Sequence, residues 1–137
     1  MNVHRNKKRR RSGAAAVELA FVLPIFCILT FAQLETARMS MVIQMLTIAA
    51  REGARVAVID GKVQSDVQTE VNRVLNGTGI SVGTVTPSPT TWLTDPGGTP
   101  ITISLTVPYS QVSWLSPSMY FKSTVLTTSA TLSSERP

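Results

Sequence analysis

The chain has 137 residues, with 13 Lys and Arg against 8 Asp and Glu and a formal charge of +5, which leaves room for one small domain. Six of the basic residues, Arg5, Lys7, Lys8, Arg9, Arg10 and Arg11, precede Gly13, so seven basic residues face eight acidic ones elsewhere; this argues against a nucleic-acid-binding fold, which spreads Lys and Arg over a folded face. The lone cysteine, Cys27, excludes an intrachain disulfide and CxxC metal sites, and because the lone histidine, His4, lies in the basic tail, removal of that tail excludes His-based triads and His-ligated metals from the remainder.

The cluster Arg5 to Arg11 reads as a positive-inside flank, which holds that end in the cytoplasm. It stops at Gly13, and Ala14 to Leu34 follows as an apolar run of 21 residues with Glu18 and Gln33 as its strongly polar interruptions. As a helix this run spans ~32 Å, close to the ~30 Å hydrocarbon core of a bilayer. A carboxylate in a membrane segment is costly and usually functional; the plainer reading of Glu18 is a side chain that snorkels to the interface. Pro24 removes one backbone hydrogen bond, a loss that membrane helices tolerate.

The helical pattern continues from Glu35 to Ile59 without proline, and Gly61 is expected to end it. Thr36, Ser40, Gln44, Thr47, Arg51 and Arg55 form one narrow polar stripe, and the rest of this surface is apolar. Either the domain wraps the helix deeply, or one apolar face meets the domain and another meets neighbouring subunits. Within Arg51-Glu52-Gly53-Ala54-Arg55, Glu52 can pair with Arg55 at i, i+3. Gly53 is costly in a helix and is expected to permit close approach by a sheet.

Ser65-Asp66-Val67-Gln68 has the form of a capping box and opens a short second helix, Asp66 to Asn76, whose apolar face is Val67, Val71, Val74 and Leu75 and whose C-terminal glycine is Gly77. The remainder reads as β: Ile80 to Val85 with a bulge at Gly83, Ile101 to Val107 in strict alternation, and Val125 to Leu132 with Leu126, Ala130 and Leu132 on one face. Pro87, Pro89 and Asp95-Pro96-Gly97-Gly98 mark a loop between the first two. Trp114, Leu115, Met119, Tyr120 and Phe121 cluster around Pro117, either folded over the core or exposed as an apolar patch. The expectation is an α+β fold in which a long N-terminal helix covers one face of a three-stranded antiparallel sheet, with a short second helix.

Gly13-Ala14-Ala15-Ala16-Val17-Glu18-Leu19-Ala20-Phe21-Val22-Leu23-Pro24 resembles the N-terminus of a type IV prepilin, and together with Ala50-Arg51-Glu52-Gly53-Ala54-Arg55-Val56-Ala57 it is similar to the TadE-like family of Tad (tight adherence) pilus systems. The resemblance covers about the first 60 residues. Glu18-Leu19 stands where major Tad pilins carry glutamate-tyrosine, and with the extra globular part this implies a minor pilin or pseudopilin with a pilin-like fold.

The resemblance implies a basic leader over residues 1–13, a transmembrane helix over 14–34 and a periplasmic domain over 35–137 that continues the helix. A prepilin peptidase would cut between Gly13 and Ala14, and Glu18 and Pro24 would serve assembly, with the new ammonium at Ala14 of a neighbouring subunit as the partner of Glu18. The implied partners are that peptidase, other pilin subunits, the inner-membrane assembly platform and membrane lipid, with no nucleic acid. The protein would be an enzyme's substrate rather than an enzyme, with no cofactor, set in the bacterial inner membrane with its N-terminus cytoplasmic and its C-terminal domain periplasmic or carried into the pilus. Two rivals stand beside this: an uncleaved single-pass anchor bearing a periplasmic binding domain, and a secreted protein cut at the small-x-small site Thr30-Phe31-Ala32.

Overall fold

The computed structural model describes residues 8–113 and 123–135, with side chains from Gly13 onward. The cluster from Trp114 to Phe121 and residues 1–7 of the basic leader lie outside the described residues. The elements are helix α1 (Lys8–Ala57), helix α2 (Gln64–Leu75), strand β1 (Pro87–Ser88), strand β2 (Pro100–Pro108), a 3-10 turn at Tyr109–Gln111 and strand β3 (Val125–Ser133). This is the expected α+β arrangement, a long apolar helix with a short second helix and an antiparallel sheet in the order β1-β2-β3. The chain divides into two compact units between Thr36 and Ala37.

In the unit before Ala37, α1 exposes Phe21, Val22, Leu23, Ile25 and Phe26 in near succession, so its apolar surface runs all round the helix instead of along one stripe. Thr30 and Thr36 turn their hydroxyls back to donate to the carbonyls of Phe26 and Ala32, both at 2.9 Å, which satisfies each side chain without water.

In the second unit, α1 buries Val42, Leu46, Ala49, Ala50, Ala54 and Ala57. Met41, Ile43 and Ile48 remain exposed, so the domain covers part of the apolar surface and does not wrap the helix. The helix ends at Ala57, four residues before Gly61. The carbonyl of Val58 accepts from the Glu135 amide (3.2 Å), which ties the chain after β3 to the end of the helix.

Gly53 is buried, but the neighbour that needs its small size is α2 more than the sheet. A Cβ there would lie 2.8 Å from Val71 Cγ2, and only at ordinary contact distance, 3.7 Å, from Ile103 Cγ2 of β2. α2 presents Val67, Val71 and Leu75 to the core. It begins one residue before Ser65, with Val63 as its N-cap. Valine has no side-chain acceptor, so only the returning half of a capping box forms: the Val63 amide donates to Asp66 Oδ2 at 3.2 Å. After the helix, Gly77 has φ +79, the left-handed conformation expected of a C-terminal glycine.

Gln68, expected to complete that box, instead reaches the segment after α2. Its Oε1 accepts from the Val85 amide (2.7 Å) and its Nε2 donates to the Gly83 carbonyl (3.3 Å), while Gln64 Nε2 donates to the Val85 carbonyl (3.0 Å). Residues 80–85 are therefore not a strand; side chains of α2 take the backbone groups of Val85 that a ladder would have used. The first strand falls at Pro87–Ser88, inside the expected loop, paired with Ile103 and Thr102. Proline suits such an edge position because it offers no amide to a further neighbour. β2 matches its alternation, with Ile101, Ile103, Leu105 and Val107 buried. On β3 only Leu126 is fully buried; Ala130 is half-buried and Leu132 is 39% exposed, so its apolar face opens towards the C-terminal end. Trp92, within the expected loop, packs into the core at 3% exposure.

Two stability predictions follow from this packing. Gly53→Ala gains about 1 kcal/mol of helix propensity but forces a contact whose overpacking costs about 1–3 kcal/mol. Thermal unfolding of the detergent-solubilised chain should therefore show net destabilisation, worse for Gly53→Val and relieved by adding Val71→Ala. On the outer face of α2, Arg73 donates to both oxygens of Glu70 at 2.8 and 2.6 Å, and this hydrogen bonding, with the guanidinium charge, holds the Glu70 carboxyl below its ordinary pKa. A lowered folded-state pKa stabilises above the unfolded value and is lost as pH falls through the folded one. The small stability gap between wild type and Glu70→Gln should be present at pH 7 and close on acidification through that range.

Candidate functional site

The residues singled out near the N-terminus share one stretch of α1. Gly13, Ala14, Glu18 and Pro24 are all helical and all exposed. Gly13 has open space where a Cβ would stand, so no packing in the described structure requires glycine there. The Gly13–Ala14 peptide lies inside the hydrogen-bonded helix, so a protease must first open a turn, and glycine lowers the cost of doing so. Among the described residues no cation pairs with Glu18. The helix runs unbroken through Pro24, where the missing amide leaves the Ala20 carbonyl without its intrahelical donor. By length and composition, the stretch Gly13–Ala57 contains a helix able to cross a membrane, and its apolar window is wholly exposed; this suggests a membrane anchor. Cys27 is a free, exposed thiol on that segment.

Further along α1, Glu35 is buried at 2% exposure. No motif in the sequence singles it out. Arg38 Nε donates to the Val112 carbonyl at 3.2 Å, which fastens the turn after β2 to the helix. Glu52 and Arg55 form the expected i, i+3 pair at 3.4 Å, in an exposed setting that makes it weak.

The Arg51-to-Arg55 block also borders a groove that the sequence did not reveal. This cleft of about 1050 Å³ lies between the last turns of α1 and the second half of β3. Val56 of α1 and Ile59, just past its end, line it on one side, Ala130 and Leu132 of β3 on the other. Arg51 and Glu135 contribute charge to its lining. Its upper end is closed where Thr47 and Thr128 share a hydroxyl hydrogen bond at 3.0 Å. Among the described residues there is no cluster of His, Cys, Asp and Glu able to hold a metal ion.

No curated protein and no solved structure gives a significant match to the chain. A family model does: residues 13–55 match that of the TadE-like proteins. The match opens on Gly13, includes Glu18 and Pro24, and closes on Arg55, so it contains the first sequence block and most of the second. Over residues 13–55 the chain is TadE-like, and such a segment points to a Tad pilus-associated, pilin-like protein.

Proposed function

We propose that this chain is a minor pilin or pseudopilin of a Tad-type pilus, inserted in the inner membrane with its basic end in the cytoplasm and its α+β domain on the far side. The observation that carries this reading is an exposed apolar helical run, Ala14 to Leu34, whose one carboxylate, Glu18, stands five residues past the glycine at which the TadE-like match begins. A membrane prepilin peptidase cuts between Gly13 and Ala14 and leaves an ammonium at Ala14. In a neighbouring subunit that ammonium meets Glu18, and the pair fixes the stagger between two apolar helices that would otherwise slide. Pro24 leaves a free carbonyl and a pliable point between the staggered region and the domain. Met41, Ile43 and Ile48, exposed on α1 beyond the first unit, extend the surface against which other subunits pack.

In this role the protein is acted on by an enzyme and is not one itself; its partners are the peptidase, other pilin subunits, the assembly platform and lipid. Adhesion, or secretion through the same apparatus, follows from the assembled fibre and not from a catalytic site in this chain.

N-terminal sequencing of the membrane-extracted protein from cells with an active peptidase should return Ala14 as the first residue. An intact leader would favour an uncleaved anchor, and a soluble chain starting at Gln33 a secreted protein. Removing one member of a buried ion pair costs about 3–5 kcal/mol because the other charge is left unpaired. Glu18→Ala and Glu18→Gln should therefore abolish pilus assembly while leaving cleavage and membrane level unchanged. Normal piliation in both variants would overturn the assembly role of Glu18.

A further inference from the structure

The two edges of the sheet are built differently. β1 is two residues long, begins with Pro87 and is followed by Pro89, a common way of blocking an edge. β3 is nine residues long and contains no proline and no charged residue from Val125 to Ser133. Its hydrogen-bonding groups can be assigned to sides. The Ser134 amide donates to Thr99 at 2.8 Å and its carbonyl accepts from Gly98 at 2.9 Å, while the Thr124 carbonyl accepts from the Tyr109 amide at 2.9 Å. Even-numbered residues on this strand therefore direct backbone groups inward. The unbroken register from Pro100↔Ser133 to Pro108↔Val125 carries that alternation along the strand. Val125, Thr127, Ser129, Thr131 and Ser133 consequently point their amides and carbonyls away from β2, where no described strand meets them.

A strand added here would lie ~4.8 Å from β3, with alternate side chains directed beneath α1 into the groove beside Ala130 and Leu132. The charges of the groove specify the rest. Arg55 is taken by Glu52 and Glu70 by Arg73, whereas Arg51 has no ion-pair partner among the described residues. Arg51 stands one helical turn from Thr47, at the end of the groove where Thr47 meets Thr128; Glu135 stands at the opposite end, against Val58. We propose that β3 and this groove receive an extended segment of another protein, antiparallel to β3, which enters with a basic residue near Glu135, places apolar side chains beside Leu132 and Ala130, and ends with an acidic residue at Arg51. This adds a strand-docking site on the domain that is independent of the helix-to-helix assembly proposed above.

The probe is a fluorescent, terminally blocked peptide, Lys-Thr-Val-Thr-Val-Thr-Glu, whose alternate residues would face Ser134, Leu132, Ala130 and Thr128. It is titrated against the full chain in detergent micelles and compared with the same peptide with its two charges exchanged. Saturable binding is expected, at least tenfold weaker for the exchanged peptide. Ser129→Pro removes an outward amide without touching the β2 ladder and should weaken binding at least tenfold, while Ser129→Ala stays within twofold. Arg51→Glu should reverse the preference between the two peptides. Unchanged thermal unfolding of the variants separates lost docking from lost fold. Absence of binding by the wild type, equal affinity for both peptides, or full affinity of Ser129→Pro would each overturn the proposal. So would failure to bind the peptide together with concentration-dependent self-association that Ser129→Pro abolishes, since that would assign the edge to a second copy.

Discussion

Everything in this structure depends on one helix serving two different surroundings. From Ala14 to Leu34 the exposed side chains of α1 are apolar apart from Glu18 and Gln33, and the Thr30 hydroxyl is folded back on a carbonyl of its own helix, which suits a solvent without hydrogen-bonding capacity. After Ala37 the same helix is sorted into faces. One face carries alanines and Gly53, small enough for α2 to pack on the backbone; another keeps Gln44, Arg51 and Arg55 in water. The small residues reduce what each position contributes by burial but let more elements share the helix. Val67 and Val71 from α2 and Ile103 from β2 converge on a single glycine.

The sheet is matched to that helix over only part of its length. β2 buries every second residue from Ile101 to Val107, but β3 does so only at Leu126. Past Thr128 its inward positions hold small or exposed side chains, and the gap they leave against α1 is the groove. On the opposite face the two strands are joined by hydroxyls, Thr102 to Thr131 at 2.7 Å and Thr106 to Thr127 at 3.4 Å. Such cross-strand pairs align neighbours without requiring a second apolar layer.

Features that repeat with the period of a helix or strand could be read from the sequence. The apolar run, the polar stripe, the Val67, Val71 and Leu75 face and the alternation from Ile101 to Val107 all emerge at their expected places, and the matched segment takes in the first TadE-like block and most of the second. What could not be read depends on partners distant in sequence. Ile80 to Val85 has the composition of a strand, yet Gln64 and Gln68 take the backbone groups of Val85. Ser65 and Gln68 have the spacing of a capping box, but Val63 and Asp66 take those places two residues earlier, on a helix that starts at Gln64. Gly53 was correctly read as a point of close approach, although its nearest neighbour came from α2. The groove has no local signal in the sequence, because its emptiness arises from how α1 and β3 pack.

The two glutamines of α2 carry a consequence for how this fold can vary. Residues 83–85 are fastened by side chains, and β2 is fastened by its ladder to β3, so the connection between them is pinned independently at both ends. Between those pins, Trp92 is the one residue deeply buried past Pro87; Thr94 and Pro96 to Gly98 are on the surface. The surface part can lengthen, shorten or change chemistry without shifting the register of the sheet, because chain entropy charges little for extra residues in a loop whose ends are already fixed. The fold thus contains a site of evolutionary latitude set apart from its structural frame, and divergence among chains of this architecture is best accommodated there, beside a tryptophan that keeps the base of the loop in place.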